Sequence, residues 1–287
     1  MPGVEGRTIV VTGAGGGLGR EYALLLARHG ANVVVNDLGG ARDGSGSGSE
    51  MADKVVAEIH EHGGRAVASY DNVASTDGAE NIVRNAVETF GGVHGVVNNA
   101  GILRDGSFAK MDSAAWDSVL KVHLYGGFNV TRAAWPYFRE QGFGRVVMAS
   151  STSGLFGNFG QANYGAAKNG LVGLTNTLAI EGARSDILVN AIAPMAATRM
   201  TSDVAPQELL DKLGPEHVAP VVVHLLSEEQ TATGSVFVVG GGSVYRVALF
   251  QNAGVRFAAP PTVDEVAERW PEIVDLDEVT LGSNPVG

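Results

Sequence analysis

Seven short runs rich in valine and isoleucine recur along the chain, with longer segments of helical periodicity between them. The runs are TIVVTG, ANVVVND, RAVASYD, HGVVNNAG, GRVVMASS, ILVNAIAP and SVFVVGGG. They are apolar throughout rather than alternating, which is typical of strands buried on both faces of a parallel sheet. Because strands that alternate with helices build α/β domains, the sequence predicts one doubly wound domain. We expect a seven-stranded parallel sheet with helices on both faces.

Composition excludes several classes of protein. The chain has 287 residues and a net charge of −11, with no long run of Lys or Arg, so neither nucleic acid nor a membrane surface is an expected partner. It has no cysteine, which removes disulfides, Cys–zinc sites and thiol nucleophiles, and we predict no metal site. The N-terminus lacks the pattern of a signal peptide and no stretch is long and apolar enough to cross a membrane. We therefore expect a cytoplasmic protein.

The sheet pattern ends near residue 242, and we divide the chain into a domain of residues 1–242 and an extension of residues 243–287. In the extension, VYRVALFQ alternates like a strand, and PPTVDEVAERW predicts a helix with Thr262 as N-cap and Glu265 as its capping-box partner. Pro271 is expected to end this helix. The extension has two expected uses, oligomer contact or active-site cover, and a helix that patches one sheet edge is the equal alternative.

Two segments interrupt the alternation of strands and helices. Residues 38–50, LGGARDGSGSGSE, are rich in Gly and Ser, so we expect a flexible insertion after the second strand. Residues 195–214 follow the sixth strand with weak periodicity. Loops at that edge cover ligands in open α/β sheets, and the apolar, Met-containing composition suits a hydrophobic substrate.

A glycine-rich loop follows the first strand and opens the first helix. VVTGAGGGLGR places Gly13, Gly17 and Gly19 in a T-G-x-x-x-G-x-G spacing, which lets the backbone approach a pyrophosphate at a helix N-terminus. Asp37 ends the next strand, where a carboxylate binds adenosine ribose hydroxyls and repels a 2′-phosphate, so NAD is favoured over NADP. A purely structural glycine turn and an Asx turn at Asp37 are the alternatives. Arg42 is the nearby cation that would reverse the preference.

Tyr164 and Lys168 lie four residues apart in QANYGAAKNG and share one face of a predicted helix. Hydride transfer at a carbonyl carbon needs a group that exchanges a proton with the oxygen, and a nearby ammonium makes a phenol a better base. Ser151 ends the fifth strand and supplies a hydroxyl that would polarise the substrate oxygen. A surface pair with no catalytic role is the alternative for Tyr164 and Lys168.

Together these features resemble the short-chain dehydrogenase/reductase family, which has the Rossmann fold. The features are the glycine loop, NNAG at residues 98–101, Ser151 and the Y-x-x-x-K of Tyr164 and Lys168. The resemblance implies that Tyr164 is the general acid/base, that Lys168 lowers its pKa and binds the ribose, and that Ser151 orients the substrate oxygen. It implies cofactor contacts from Gly13, Gly17, Leu18, Gly19, Asp37, Asp71, Asn72, Asn99, Tyr164, Lys168 and Thr198.

The chain departs from the family pattern at two positions. Thr198 falls one place early, and the usual glycine after Pro194 is missing. His123 stands where many members have an asparagine that holds a water behind the lysine, and we interpret it as structural.

Further stretches, among them VVVNDLGG, NNAGILRD and GNFGQANY, are similar to the dehydrogenase units of type 2 multifunctional enzymes, a group within this family. This resemblance implies an NAD-dependent (3R)-hydroxyacyl-CoA dehydrogenase. Arg104 or Arg199 is a candidate cation for CoA phosphates, and a solvated surface charge is the alternative for each. The alternatives are a 17β-hydroxysteroid dehydrogenase, an NADPH-dependent 3-oxoacyl reductase, and a non-catalytic dinucleotide sensor. The family resemblance also implies a homodimer or homotetramer formed through the long helices.

Overall fold

The computed structural model describes residues 3–196 and 213–284. The chain divides into two compact units, Met1–Tyr245 and Arg246–Gly287. The first unit holds the main sheet, whose strands are β1 Thr8–Thr12, β2 Asn32–Asn36, β3 Arg65–Ser69, β4 Gly95–Asn98, β5 Gly144–Ala149, β6 Ile187–Pro194, β7 Val236–Gly240 and β8 Ser243–Val247.

The strands of the main sheet lie in the order β3-β2-β1-β4-β5-β6-β7-β8. Neighbours from β3 to β7 pair in parallel. The predicted α/β class is confirmed, but the predicted number of seven strands is wrong, since the sheet has eight. β8 begins directly after the turn at Gly241 and Gly242, which is too short for a parallel crossover, so it runs antiparallel to β7. The sequence places VYRV in the extension, and the domain boundary at residue 242 stays a prediction.

Helices cover both faces of the sheet. In the first unit they are α1 Gly17–Arg28, α2 Glu50–Glu61, α3 Thr76–Phe90, α4 Ser113–Leu120, α5 Gly126–Gln141, α6 Thr152–Phe156, α7 Ala162–Gly182 and α8 Ala219–Leu225. A π-helical turn, Lys121–Tyr125, joins α4 to α5. Within the described part of the chain, no helix is long and apolar enough to cross a membrane.

Successive side chains of a buried strand point to opposite faces of the sheet, so the strands contribute to two separate cores. On β1, Ile9 and Val11 join the core that includes side chains of α1, α2 and α8, while Val10 joins the core that includes α3, α5 and α7. Each strand from β1 to β7 therefore contributes to both layers of helices, which explains why these strand sequences are apolar throughout.

Glycine in α5 allows the close approach of another helix. A Cβ at Gly127 would lie 2.7 Å from Leu171 Cδ2, so α5 and α7 pack closely against each other. The neighbour that approaches is thus a helix of the same chain.

The second unit contains β9 Phe250–Gln251, β10 Thr280–Leu281 and α9 Val263–Val274. β9 and β10 pair antiparallel. The predicted capping box of Thr262 and Glu265 is confirmed, but Pro271 does not end the helix, which continues to Val274. Proline removes one hydrogen-bond donor and bends a helix without always stopping it. None of the described residues from 246 to 284 is buried.

Two threonines of β1 allow a matched test of its hydrogen bonds. Thr12 Oγ1 donates to the Val97 carbonyl at 3.2 Å and accepts the N–H groups of Asn99 and Ala100. Thr8 Oγ1 is equally buried but has no partner among the described residues.

We expect Thr12→Val to lower the free energy of unfolding by about 2 to 4 kcal/mol, because it leaves buried N–H groups without an acceptor. Thr8→Val should raise it by about 1 kcal/mol, because it removes a buried hydroxyl that gains no hydrogen bond. Urea unfolding of both variants measures the two changes. Equal effects at the two positions would contradict the role assigned to Thr12.

Candidate active site

A cavity of about 370 Å³ lies at the carboxyl ends of β1 to β4. It is lined by the segments that follow these four strands and by residues 118–122 before and within the π-helical turn. Most of the predicted cofactor residues line it, namely Gly13, Gly17, Leu18, Asp37, Asp71, Asn72 and Asn99. Thr198 lies outside the described residues. Ser151, Tyr164 and Lys168 form a separate group beyond this lining.

The glycine loop fits a pyrophosphate. Gly13 and Gly17 have φ angles of 63° and 53°, which L side chains rarely adopt. No side chain caps the helix N-terminus at Gly16, so the first N–H groups of α1 are available to an anion at the edge of the cavity. Gly19 does not line the cavity. A Cβ there would lie 2.2 Å from the Gly13 carbonyl oxygen, so its absence lets the helix pack against the loop.

Asn99 holds the glycine loop against the end of β4. Its side-chain amide donates to the carbonyl oxygens of Thr12 and Gly13, each at 3.1 Å. Its backbone N–H donates to Thr12 Oγ1 at 3.0 Å. Asn99 is therefore both part of the cavity lining and a brace for the turn, and Thr12 is its partner, a role that the sequence analysis missed.

Asp37 has two backbone partners. Its carboxylate accepts the N–H of Gly15 at 2.8 Å and the N–H of Gly39 at 2.8 Å. The second bond is the Asx-type turn considered from the sequence, and the first ties the end of β2 to the glycine loop. Both bonds hold the carboxylate at the cavity wall. A ligand bound along the glycine loop would therefore lie beside a negative charge.

Polar side chains hold Asp71 at the far end of the cavity. Asn81 donates to one carboxylate oxygen at 3.0 Å, and Ser69 donates to the other at 3.2 Å. Asn36 donates to the Asp71 backbone carbonyl at 3.0 Å. Asn72 instead accepts the N–H of Ala74 through its side chain and shapes the turn before α3. The carboxylate of Asp71 is thus fixed before any ligand binds.

The start of α7 places Tyr164 and Lys168 beside Ser151. Lys168 is buried, its ammonium nitrogen donates to the Ala149 carbonyl, and it lies 5.5 Å from the centroid of the Tyr164 ring. Ser150 donates to the Lys168 backbone carbonyl at 2.9 Å. Ser151 accepts the N–H of Ser153 and caps the short helix α6. The three predicted catalytic side chains therefore come together at the end of β5.

Burial acts in opposite directions on the two titratable groups. It raises the pKa of Tyr164, and a hydrogen bond with Ser151 lowers that pKa to a smaller extent. It lowers the pKa of Lys168 to about 7. The expected lowering of the phenol pKa by Lys168 is not seen, because the amine is itself desolvated and donates to the Ala149 carbonyl.

His123 lies in the π-helical turn and packs edge-to-face on Tyr164, with ring centroids 5.2 Å apart. Its Nε2 lies 2.8 Å from the Ile102 carbonyl oxygen and 3.1 Å from the Ile102 backbone nitrogen, so the tautomer decides which of the two it bonds. Its Nδ1 is buried without a partner among the described residues. Burial, together with the charge of Lys168, holds its pKa well below the usual range, so the ring is neutral. A Cβ at Gly101 would lie 2.3 Å from Cε1, so the last glycine of NNAG makes room for the imidazole.

Asn163 is the other residue that the sequence analysis missed. It is fully buried, and its Oδ1 accepts the backbone N–H of Tyr164 at 2.7 Å. Its amide donates to the carbonyl oxygens of Arg104 and Ala115. No local pattern marks such a residue, since each partner except Tyr164 is distant in sequence.

The fold and the site define an oxidoreductase that uses a nicotinamide dinucleotide. The family model described as short chain dehydrogenase matches residues 7–209. The chain belongs to the short-chain dehydrogenase/reductase family, whose members act on CH–OH groups.

Three relatives show which members of the family this chain is similar to. Rv0148 of Mycobacterium tuberculosis, described as a short-chain type dehydrogenase/reductase, is 69% identical over 96% of both chains. The mouse peroxisomal multifunctional enzyme type 2 is 50% identical over 96% of this chain, which spans 38% of that enzyme. The hydroxyacyl-CoA dehydrogenase ChsB1 of M. tuberculosis is 41% identical over 85% of this chain and 80% of its own length.

The same fold forms part of a multifunctional enzyme. The full-length peroxisomal multifunctional enzyme type 2 of Drosophila melanogaster superposes with a TM-score of 0.83 and 39% identity. The match covers 99% of this chain and 48% of the fly chain. The resemblance to this group, stated from sequence motifs, is confirmed.

The lowered pKa of Lys168 predicts how stability changes with pH. Unfolding returns the amine to its ordinary pKa of 10.5, so between pH 7 and 10.5 the unfolded chain binds more protons than the folded chain. The contribution of Lys168 to the free energy of unfolding therefore rises with pH across this range, by at most about 1.4 kcal/mol per pH unit.

We expect the stability of the wild type relative to Lys168→Met to increase from pH 7 to pH 9.5, measured by urea unfolding without cofactor. Lys110→Met, which removes an exposed lysine, serves as the control. A constant difference between the wild type and Lys168→Met would show that the amine is not desolvated.

Proposed function

We propose that this chain is an NAD-dependent (3R)-hydroxyacyl-CoA dehydrogenase that moves a hydride between a secondary alcohol and NAD. The observation that carries the proposal is the grouping of Ser151, Tyr164 and Lys168 at the end of β5, next to a cavity with a phosphate-binding glycine loop. Similarity to a hydroxyacyl-CoA dehydrogenase and to multifunctional enzymes supports the choice of substrate class.

Each catalytic residue has one role in this proposal. Tyr164 exchanges a proton with the substrate oxygen, and Ser151 donates a hydrogen bond that orients this oxygen. Lys168, buried behind the phenol, exchanges a proton at low cost near neutral pH because its pKa is about 7. When bound, the nicotinamide ring supplies the hydride acceptor, and the residues that would hold the cofactor are those of the glycine loop, Asp37, Asp71, Asn72, Asn99 and Lys168.

Arg104 is less suited to CoA phosphates than the sequence suggested, because its Nε donates to the Asp43 carbonyl at 2.9 Å. Arg199 lies outside the described residues. The 17β-hydroxysteroid alternative stays open, since no described residue distinguishes one hydrophobic alcohol from another.

Tyr164→Phe tests the chemistry. We expect it to lower kcat by about 10² to 10⁴-fold, because it removes the hydroxyl that transfers the proton, while NADH binding changes little. The assay compares a (3R)- with a (3S)-3-hydroxyacyl-CoA and with a 17β-hydroxysteroid, and Tyr125→Phe, at an exposed tyrosine, is the control. Retained turnover in Tyr164→Phe would refute the mechanism. Turnover of the steroid alone would refute the acyl-CoA assignment.

Asp37 supports NAD over NADP, because a fixed carboxylate at the end of β2 repels a 2′-phosphate. An NADPH-dependent 3-oxoacyl reductase is the competing assignment, and a 3-oxoacyl-[acyl-carrier-protein] reductase of Thermotoga maritima is 36% identical to this chain.

We expect Asp37→Asn to narrow the preference for NADH over NADPH by about tenfold or more, because it removes the charge but keeps an acceptor for Gly15 or Gly39. Fluorescence titration with both cofactors measures this ratio. If the wild type binds NADPH as tightly as NADH, the NAD assignment fails.

We also propose that the chain forms a homodimer or homotetramer. A groove of about 820 Å³ lies on α3, α5 and α7, away from the reacting groups, and Phe128 and Tyr137 are exposed there. Another copy would cover these aromatic side chains. A stable monomer in light scattering would contradict this assembly.

The extension, proposed as residues 243–287, serves oligomer contact or active-site cover in this account. The compact unit Arg246–Gly287 has no buried residue among those described, and a unit of this size rarely forms a stable core alone.

A cytoplasmic location is proposed for this chain, although several relatives are named as peroxisomal.

A further inference from the structure

The Gly/Ser-rich insertion after β2 follows a hydrogen-bonded path, and part of it lines the cofactor cavity. We call residues 38–48 the strap. Its backbone is closed on itself by hydrogen bonds from Gly48 N to the Leu38 carbonyl at 2.9 Å and from Ala41 N to the Ser45 carbonyl at 2.7 Å. Residues of the strap line the cavity, so a bound dinucleotide would lie against it.

The strap is attached on the far side of the cavity to the segment that follows β4. Leu103 N donates to the Arg42 carbonyl at 3.0 Å, and Arg104 Nε donates to the Asp43 carbonyl at 2.9 Å. β1 lies between β2 and β4 in the sheet, so this attachment bridges the turn that follows β1. The strap is thus held at its base by the bond between Gly48 and Leu38 and near its middle by the bonds to Leu103 and Arg104.

The same segment after β4 is bonded to the start of α7. Gly106 N donates to the Gly160 carbonyl at 2.8 Å, and Gln161 donates to the Asp105 carboxylate at 2.8 Å. The Arg104 carbonyl accepts the side-chain amide of Asn163 at 3.0 Å. One short segment therefore contacts the strap on one side and the helix that carries Tyr164 on the other.

Arg104 and Asn163 make this connection continuous. The Arg104 side chain holds the strap, its carbonyl accepts Asn163, and Asn163 accepts the backbone N–H of Tyr164 at 2.7 Å. Three hydrogen bonds thus link the Asp43 carbonyl to the backbone of the reacting phenol. Because Asn163 is fully buried, water does not compete for its partners.

We propose that Arg104 and Asn163 are positioning residues that couple closure of the strap over the cofactor to the placement of Tyr164. The proposal rests on the proposed function only in that the cavity takes a nicotinamide dinucleotide. A dinucleotide that presses against the strap stabilises its attachment to Arg104, and the segment from Arg104 to Asn163 passes this order to the first turn of α7. Cofactor binding then stabilises the arrangement of Tyr164 that the hydrogen bonds already define.

Hydrogen exchange with and without NADH tests the coupling in the absence of any substrate. In the wild type, NADH should slow exchange both in the strap and in the peptide that contains Tyr164. In Arg104→Ala, we expect NADH to bind about tenfold more weakly, as for the loss of one charged hydrogen bond, and at saturation it should protect the Tyr164 peptide less than in the wild type. In Asn163→Ala, saturating NADH should protect the strap as in the wild type but the Tyr164 peptide less.

Kinetics separate positioning from a general loss of structure. Asn163→Ala should lower kcat by about tenfold with little change in KM for NAD, because the Tyr164 backbone loses one hydrogen bond. Arg104→Lys keeps a donor and should restore part of the NADH affinity, and it does not disturb the buried amide if Asn163→Ala fails to fold. Arg28→Ala and Asn176→Ala, at exposed positions on α1 and α7, are the matched controls.

Protection of the Tyr164 peptide by NADH in Arg104→Ala, at the level of the wild type, would overturn the proposal. If the wild type binds NADH but oxidises no hydroxyacyl-CoA, the proposed substrate is wrong, and the exchange measurements still decide the coupling. If NADH does not bind the wild type, both proposals fail.

Discussion

The reversal of winding between β3 and β4 determines where ligands can bind. Crossovers carry the chain outward from β1 to β3, and the next crossover returns it to β4 on the other side of β1. No crossover helix therefore covers the carboxyl end of β1, and a crevice opens there. The turn that follows has to stay close to the sheet, and Thr12 and Asn99 hold it by hydrogen bonds. The cavity, the strap and the reacting group all depend on this crevice.

Desolvation, rather than ion pairing, sets the direction in which the pKa values of Tyr164 and Lys168 are shifted. Among the described residues, the recorded partner of the Lys168 amine is a neutral carbonyl, and no carboxylate holds its charge. Its pKa is therefore lowered, while that of Tyr164 is raised. His123, which packs on the phenol, is neutral for the same reason. Tyr164 and His123 are therefore neutral near physiological pH, whereas Lys168, with a pKa of about 7, gains or loses a proton there at low cost.

Features that local sequence encodes were predicted well. Periodicity identified the strands from β1 to β7, the glycine spacing located the loop at the cavity, and the capping box of Thr262 was correct. Features that depend on contacts distant in sequence were missed. Asn163 is one residue from Tyr164, yet its other partners, Arg104 and Ala115, are set by the fold. The alternation of VYRVALFQ predicted a strand, but its place in the main sheet was missed, because that place depends on pairing with β7 rather than on its own pattern.

The path of the strap could not be predicted from composition alone. Gly and Ser are typical of flexible linkers, but three of its glycines, Gly39, Gly44 and Gly46, have positive φ angles that other residues rarely adopt. These glycines are therefore required by a defined path, and a Cβ at Gly39 would lie 2.1 Å from the Gly48 carbonyl oxygen. Glycine has a high entropic cost of ordering, so the strap depends on its attachments to Leu103 and Arg104. A segment that is expensive to order and fixed by few bonds responds strongly to a ligand that adds contacts, which is the property that coupling to Tyr164 requires.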